Sequence, residues 1–498
     1  MIKSNLRKID WSLVLIPILA IVMISYLLEQ FPQSAHHILT SIRVFFNDQL
    51  TVIYILVGLF FFLSTLYVAF SKIGHKKLGN KDDHPEYSNL RWGVMIFTST
   101  MSADIIFYAL CEWMMYAQEP FIQSKGNVME WSLTYSLFHW GPIAWSFYIM
   151  LAVAFAYMLF VTKNQRQKFS EACRPILGKY TDGILGKLID LIAIFALLAG
   201  TATTFSMSMP LLSAVVGHLF HINSLTRLSL VLIIIVVLIY LIASVMGMKA
   251  ISRLSAICYT FFIGLLLYVL LFSGNANFIL DSGLQAVGNL TQNFIGMATT
   301  TRNHDFTQNW TIYYWSYWII WCVATPFFIG SISKGRTIRD VVIRAYAWGL
   351  GGTFLAFIIL GNFGMSCQIH HLINVSHLIA SGNSYAHVAL LIMKTLPQYR
   401  LALILLALAM IGLYSTVFDS ITMVISKYSY RQLSLDEEPS KLLRGFWAIA
   451  FMILPTALLV SHSNMNNIQS VAIIAALPTM IVMILIVMSF YKEIRRNS

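Results

Sequence analysis

The chain is 498 residues long, 58% hydrophobic and only 11% charged, with a mean hydropathy of +0.72. Soluble domains carry roughly 25% charged residues, so this composition excludes a water-soluble enzyme or binding module and describes a polytopic membrane protein. The net charge of +12 is accounted for by basic loops beside anionic headgroups, with no nucleic-acid partner implied.

A membrane-spanning helix needs about 20 apolar residues. Runs of that length lie near 11–29, 50–71, 92–117, 132–161, 187–217, 227–247, 253–273, 309–333, 342–366, 400–426, 443–461 and 467–490, which predicts an all-α protein of about twelve transmembrane helices. The first run opens on Asp10 and Trp11, has no small-residue cleavage site and is longer than a signal-peptide core, so it is expected to be retained. Of the 33 basic residues, all but Arg43, Lys125, Arg227, Arg302, Lys394 and Arg400 fall in the N-terminus, the loops after even-numbered spans or the C-terminus. Basic loops collect on the cytoplasmic side, so both termini are expected there. No loop is long enough to hold a soluble domain, and residues 1–498 are expected to form one integral membrane domain. The five cysteines, Cys111, Cys173, Cys258, Cys322 and Cys367, show no CxxC spacing and lie mostly in apolar runs. They read as packing residues, and no metal or cofactor site is expected.

Ionisable residues inside spans need a reason, because burying a charge in hydrocarbon costs several kcal/mol. Asp104, Glu112 and Asp419 are the acids concerned. Asp104 follows Ser99-Thr100-Met101-Ser102-Ala103 midway along the third span, a run of small and hydroxyl-bearing residues that forms helix poorly. A broken helix is expected there, of the kind that supplies ligands for substrate and coupling ions in carriers. The bland alternative is a small-residue packing face. Glu112 orients a gate or sits near the outer rim, and Asp419 is assigned structural hydrogen bonding.

In the fourth span, Phe138-His139-Trp140-Gly141-Pro142 leads to Trp145 and Tyr148. Trp140, Tyr148 and His139 are placed on the substrate route, Trp145 in packing, and Gly141-Pro142 weakens the helix. His139 reads first as a hydrogen-bonded packing residue. Residues 164–187 mix basic and apolar side chains and are expected to lie along the membrane surface. The outward segments 274–308 and 367–399 are longer than a tight connection requires, and the second holds a predicted helix around His387 to Leu396.

The eighth span, Trp310 to Trp321, carries Trp310, Tyr314, Tyr317, Trp318 and Trp321 on one helical stripe, and the chain runs on into the basic loop Ser333 to Arg339. Rings converging on a point hold a quaternary ammonium through their quadrupoles, at roughly 0.5–2 kcal/mol each. The alternative is an interfacial aromatic belt, but belts cluster at span ends and these rings run into mid-span.

The stretch from Trp310 to Trp321, the segment from Ile332 to Arg339, and His139-Trp140-Gly141 with Trp145 and Tyr148 together resemble the betaine/choline/carnitine transporters, over nearly the whole chain in span order. The resemblance implies a LeuT-like core of two inverted five-helix repeats. Here these are spans 3–7 (residues 92–273) and spans 8–12 (309–490), preceded by two extra helices (1–91). It also implies alternating access around an aromatic box of Trp140, Tyr148, Tyr317, Trp318 and Trp321, and often a homotrimer. Tyr317 stands where many members resemble one another in having Trp, adding a hydroxyl that would reach substrate or water.

The departures from the family concern coupling. Thr100, Ser102 and Asp104 stand at what look like the glycine positions of sodium-coupled betaine carriers, and proton-coupled choline carriers of the family have Asp at the third. Thr100, Met101, Ser102, Asp104 and Thr416 are therefore the coupling or ion-site residues, with Asp104 also assigned to substrate. In the tenth span a pair of hydroxyl ligands is replaced by Thr416-Val417. Sodium-independent carnitine exchangers fill an ion site with arginine, but Lys249-Ala250-Ile251-Ser252-Arg253 offers Ser252 there, with Arg253 one residue off. Glu112-Trp113, where betaine carriers have Glu-Pro, leans toward the exchangers. The expected activity is transport of a trimethylammonium solute, choline with proton coupling ahead of sodium-independent carnitine or betaine exchange. A membrane-bound enzyme built on Asn303-His304-Asp305 lacks a second motif, and a sensor lacks a cytoplasmic tail; Met1–Asp10 and Lys492–Ser498 are also too short for a strong osmotic switch.

Overall fold

A computed structural model describes residues 8–496 apart from 165, 247, 302–303, 432, 434–436 and 462–464. Among the described residues the secondary structure is helical, with two isolated β-bridges, Ile9 to Tyr430 and Lys77 to Thr337. Ten helices are long and apolar enough to cross a membrane, and two bent helix pairs bring the number to twelve. The spans are Trp11–Gln30, Gln49–Phe70, Asn89–Tyr116, Val128–Phe160, Ile184–Phe220, Leu225–Ile242, Ser252–Phe272, Thr307–Ser331, Ile338–Ile369, Tyr399–Tyr428, Lys441–Val460 and Asn467–Arg496. Leu19, Ile184, Ile295 and other large apolar side chains are exposed on the outside, as a hydrocarbon solvent allows. The fourth span is enclosed on nearly every side.

The third span is broken, as its small and hydroxyl residues predict. Asn89–Thr100 and Asp104–Tyr116 meet at 64°, with Met101 extended between them. Thr98 and Ser99 turn their hydroxyls back onto the carbonyls of Val94 and Ile96, a habit that weakens and bends helices. The eighth span is broken too, which sequence reading missed. Thr307–Trp321 and Thr325–Ser331 meet at 47°, and Pro326, at the start of the second piece, is the signal, since proline cannot continue the preceding hydrogen-bond ladder. The fourth span is interrupted at Trp140–Gly141, with Pro142 opening its second helix. Two π-helical turns, Thr307–Ile312 and Phe357–Gly361, lie in the eighth and ninth spans.

Other differences lie at the periphery. The second span is the end of a 39-residue helix, Pro32–Phe70, about 58 Å long at 1.5 Å per residue and thus roughly twice the hydrocarbon thickness. Segment 274–308 holds a 24-residue helix, Ala276–Thr299. The helix predicted at His387 to Leu396 runs Tyr385–Met393. Residues 164–187, expected to lie along the membrane surface, are not one continuous helix. They make short helices, Phe169–Ala172 and Arg174–Leu177, and a 3-10 turn Gly178–Asp182. Arg166, Glu171, Arg174 and Asp182 tie this segment together, and the two guanidinium groups hold the Asp182 carboxyl well below the usual carboxylate range.

The basic loops gather on one face. Ile9 pairs with Tyr430, Leu78 N–H bonds the Arg336 carbonyl at 2.8 Å, Lys427 reaches Gln167 at 2.7 Å, and Lys76 reaches the Ile494 carbonyl at 3.5 Å.

Candidate functional site

Asp104 is the first residue of the second half-helix of the third span and is buried. A carboxylate in the first turn of a helix is favoured by the unpaired N–H groups there. Its Oδ2 accepts the Tyr317 hydroxyl of the eighth span, and the Tyr317 oxygen also bonds Thr204 of the fifth. The Tyr317 hydroxyl, expected to reach substrate or water, bridges two protein side chains here. Thr204 was missed by sequence reading. Its signal is the run Gly200-Thr201-Ala202-Thr203-Thr204, small and hydroxyl-bearing like the run before Asp104.

At the break, the Thr100 and Ser102 hydroxyls are buried and have no hydrogen-bond partner among the described residues, and Met101 is buried beside them. Thr416 donates to the Thr98 carbonyl at 2.8 Å. The tenth span therefore closes a carbonyl freed by the break, and Val417 beside it has no side-chain oxygen. The Asp419 side chain, the side chains of Lys249 to Ile251, residues 302–303 and the His304 side chain lie outside the described residues. Arg253 is exposed.

The aromatic side chains form a column rather than a single converging cage, which corrects the stripe expectation. At one end Trp310 donates its indole N–H to Glu119 at 2.7 Å and meets Tyr116 edge-on at 4.9 Å. Next, Tyr314 stacks on His139 at 5.1 Å and lies 5.5 Å from Tyr108. Trp140 then touches Tyr314, Tyr108 and Trp318 at 5.8, 5.5 and 5.6 Å, with Phe357 of the π-helical turn at 5.3 Å. Trp318 meets Tyr148 at 4.7 Å and Trp145 at 5.5 Å. Trp145 packs against Gly349, where an added Cβ would lie 2.6 Å from the indole. Trp321 lies farther along, beside Gly200 of the fifth span at 3.1 Å from its ideal Cβ. Of the expected box, Trp140, Tyr148 and Trp318 are joined ring to ring, Tyr317 is turned toward Asp104, and Trp321 stands apart against Gly200. Tyr108 and Phe357 belong to the column and were missed, since isolated rings in apolar runs carry no signal of their own.

His139 uses both ring nitrogens, Nδ1 with the Tyr116 hydroxyl at 2.6 Å and Nε2 with Thr311 at 2.9 Å, as a packing histidine does. Glu112 is fully buried, and its Oε2 accepts the Trp140 indole N–H at 2.9 Å.

A buried acid at a broken span, beside a column of aromatic rings inside a bundle of up to twelve spans, is the architecture of a membrane carrier. The sequence matches the BCCT, betaine/carnitine/choline family transporter, over residues 12–498, and the chain belongs to that family. It is a secondary transporter of betaine/carnitine-type solutes, not an enzyme. Among its relatives, the glycine betaine transporter OpuD of Bacillus subtilis is 31% identical over 482 residues, covering 94% of this chain and 91% of that protein. A carnitine transporter of Acinetobacter baumannii is 26% identical over 437 residues, covering 86% of this chain and 79% of that protein. A solved Na+-coupled sialic acid symporter in its substrate-bound outward-open state aligns at a TM-score of 0.46 and 14% identity, covering 85% of this chain and 81% of that one.

Proposed function

We propose that this carrier moves choline across the cell membrane by alternating access, coupled to protons through Asp104 and without full sodium dependence. The observation that carries the proposal is Asp104 itself. It is a buried carboxylate at the broken span, bonded to Tyr317 and without an ion-pair partner among the described residues. A trimethylammonium about 6 Å away would be attracted by on the order of 3 kcal/mol at an effective dielectric of about 20. Betaine brings its own carboxylate, which the same charge repels. Trp140, Tyr148 and Trp318 supply the ring faces for the methylated cation, with Tyr317 and Trp321 flanking them.

Sodium independence is supported by the tenth span, where the Thr416 hydroxyl is donated to Thr98 and Val417 offers no oxygen. The basic face is assigned to the cytoplasm, with both termini on it. The broken third and eighth spans, five apart, support reading spans 3–7 and 8–12 as two repeats that rock about the site, behind two extra N-terminal helices. A homotrimer is the proposed assembly. The second reading is a sodium-independent exchanger of carnitine or betaine, favoured by the named substrates of the two relatives.

The test is uptake of labelled choline, carnitine and glycine betaine into proteoliposomes, with the sodium gradient, proton gradient and internal substrate varied separately. Choline uptake driven by a proton gradient without sodium is the expected result. Uptake that needs only internal carnitine or betaine overturns it in favour of exchange.

A further inference from the structure

Tyr108 and Tyr313 are a second polar pair inside the aromatic column, between the same two spans as Asp104 and Tyr317. Tyr108 lies four residues beyond Asp104 on the half-helix Asp104–Tyr116, and Tyr313 lies four residues before Tyr317 on the eighth span. At 1.5 Å per residue the two pairs form successive rungs about 6 Å apart. The hydroxyl oxygens of Tyr108 and Tyr313 are 2.7 Å from each other, and both side chains are completely buried. The Tyr108 ring lies 5.5 Å from Trp140 and 6.4 Å from Tyr317, and the Tyr313 ring lies 6.0 Å from Tyr317. The hydroxyl pair therefore borders Trp140, one of the rings assigned to the cation, and the Asp104–Tyr317 pair.

Two phenols bring two O–H donors, and their mutual bond uses one of them whichever way it points. Neither hydroxyl has another hydrogen-bond partner among the described residues, so one buried O–H proton is left over. A buried donor left unpaired is unfavourable, and phenylalanine at both positions would fill nearly the same space without it. Spare hydrogen-bonding capacity one ring away from a cation site suits a solute that carries an oxygen a few bonds from its trimethylammonium. A hydroxyl or carboxylate oxygen accepts the spare proton. A hydrocarbon end leaves it unpaired.

We infer that Tyr108 and Tyr313 are specificity-determining residues: their hydroxyl pair receives the oxygen-bearing end of the solute while Trp140, Tyr148 and Trp318 hold its methylated cation, so the carrier rejects quaternary ammonium ions with a hydrocarbon end. The inference rests on the aromatic column being the cation site, as proposed above. It does not rest on proton coupling, nor on the choice between choline and betaine, which is assigned above to the Asp104 charge.

The test is competition with a labelled substrate on the full-length carrier in detergent, using choline and propyltrimethylammonium, which has a methyl group where choline has its hydroxyl. Wild type is expected to bind choline roughly tenfold more tightly, about 1.4 kcal/mol, since a site built to bond a hydroxyl rejects the analogue that lacks it. The double variant Tyr108→Phe with Tyr313→Phe removes both hydroxyls and should bring the ratio to about one by weakening choline alone. A hydroxyl pair that merely clasps the third span to the eighth would weaken both ligands alike, so a ratio kept at its wild-type value in the double variant overturns the inference. Should the double variant not yield a folded carrier, the two single variants decide. Loss of the ratio in either one supports the inference and identifies the phenol that donates to the solute; a ratio kept in both overturns it. Wild type that binds the two ligands equally also overturns it, while leaving the ring column as the cation site. Wild type that binds neither choline, glycine betaine nor propyltrimethylammonium defeats the cation site, and the inference falls with it. Wild type that binds glycine betaine but not choline defeats the choline proposal alone. Betaine then replaces choline in the comparison: selective weakening of betaine in the double variant supports the inference, and equal weakening of both ligands overturns it.

Discussion

Trp318 occupies the middle of the aromatic column, touching Trp140, Trp145 and Tyr148. Its indole nitrogen has no hydrogen-bond partner among the described residues, so its contribution is its ring faces and its bulk. Trp318→Leu removes two ring faces' worth of cation attraction, roughly 1–3 kcal/mol. An apparent affinity at least tenfold weaker is therefore expected in uptake assays, with the carrier still monodisperse in detergent; wild-type affinity would dismiss the column as the binding site. Asp104→Gly removes the carboxylate while leaving Thr204 to keep the Tyr317 hydroxyl. Substrate competition should then shift from choline toward betaine, and an unaltered ranking would detach Asp104 from recognition. The identities of these rings and acids were legible in the sequence. That Tyr317 faces Asp104, and that Trp321 faces Gly200, was not, because a stripe on a helix fixes an angle around the axis but not the depth or partner of each ring.

Helix packing around the site depends on glycines that let rings approach backbone. Gly93 of the third span lies under Trp348 of the ninth, where a Cβ would fall 2.1 Å from the indole, and Gly352 of the ninth accepts Phe97 of the third at 2.2 Å. Two reciprocal knobs of this kind lock the first half of the broken span to its neighbour. Gly93→Ala forces the half-buried Trp348 to move and should cost about 1–3 kcal/mol, lowering the apparent melting temperature in detergent. Gly351→Ala, with nothing within 4 Å of the added carbon, should melt as wild type does; equal behaviour of the two variants would discount the lock. The break in the third span was readable from its hydroxyl run. The break in the eighth was overlooked although Pro326 marks it, since the surrounding apolar run is long enough to span without interruption.

Across the whole molecule, the basic face carries a latch between segments far apart in sequence. Arg336 is buried, its guanidinium lies 4.4 Å from the Trp92 ring, and it bonds Asn89, Asp340 and the Tyr87 carbonyl. Beside it Leu78 and Gly335 exchange backbone bonds with the facing loop, and Trp92 donates to Ser333 at 3.2 Å. The latch joins the entrance of the third span to the end of the eighth, the two broken spans that the proposed rocking of the repeats would move against each other. Arg336→Ala should speed hydrogen exchange at residues 76–78 and 335–338 by more than tenfold relative to the helix Ala276–Thr299. Arg336→Lys should restore little of the protection, because an ammonium cannot replace the planar fork that both stacks and bonds. Protection unchanged in Arg336→Ala would mean the loops are held without the guanidinium.

The residues alone determined the number and limits of the spans, the partition of basic loops to one face, and the presence of aromatic rings and acids in mid-membrane. Length, hydropathy and charge are sums over neighbouring residues, and membrane insertion reads the same sums. Only the tertiary structure decided that Asp104 meets Tyr317 across 213 positions, that Glu112 holds Trp140, that Thr416 closes the Thr98 carbonyl and that the rings form a column. Helices that are apolar nearly all round carry little periodic signal to say which face meets which. In hydrocarbon, the partner of each polar group is chosen by packing and by the need to leave few hydrogen-bonding groups unsatisfied.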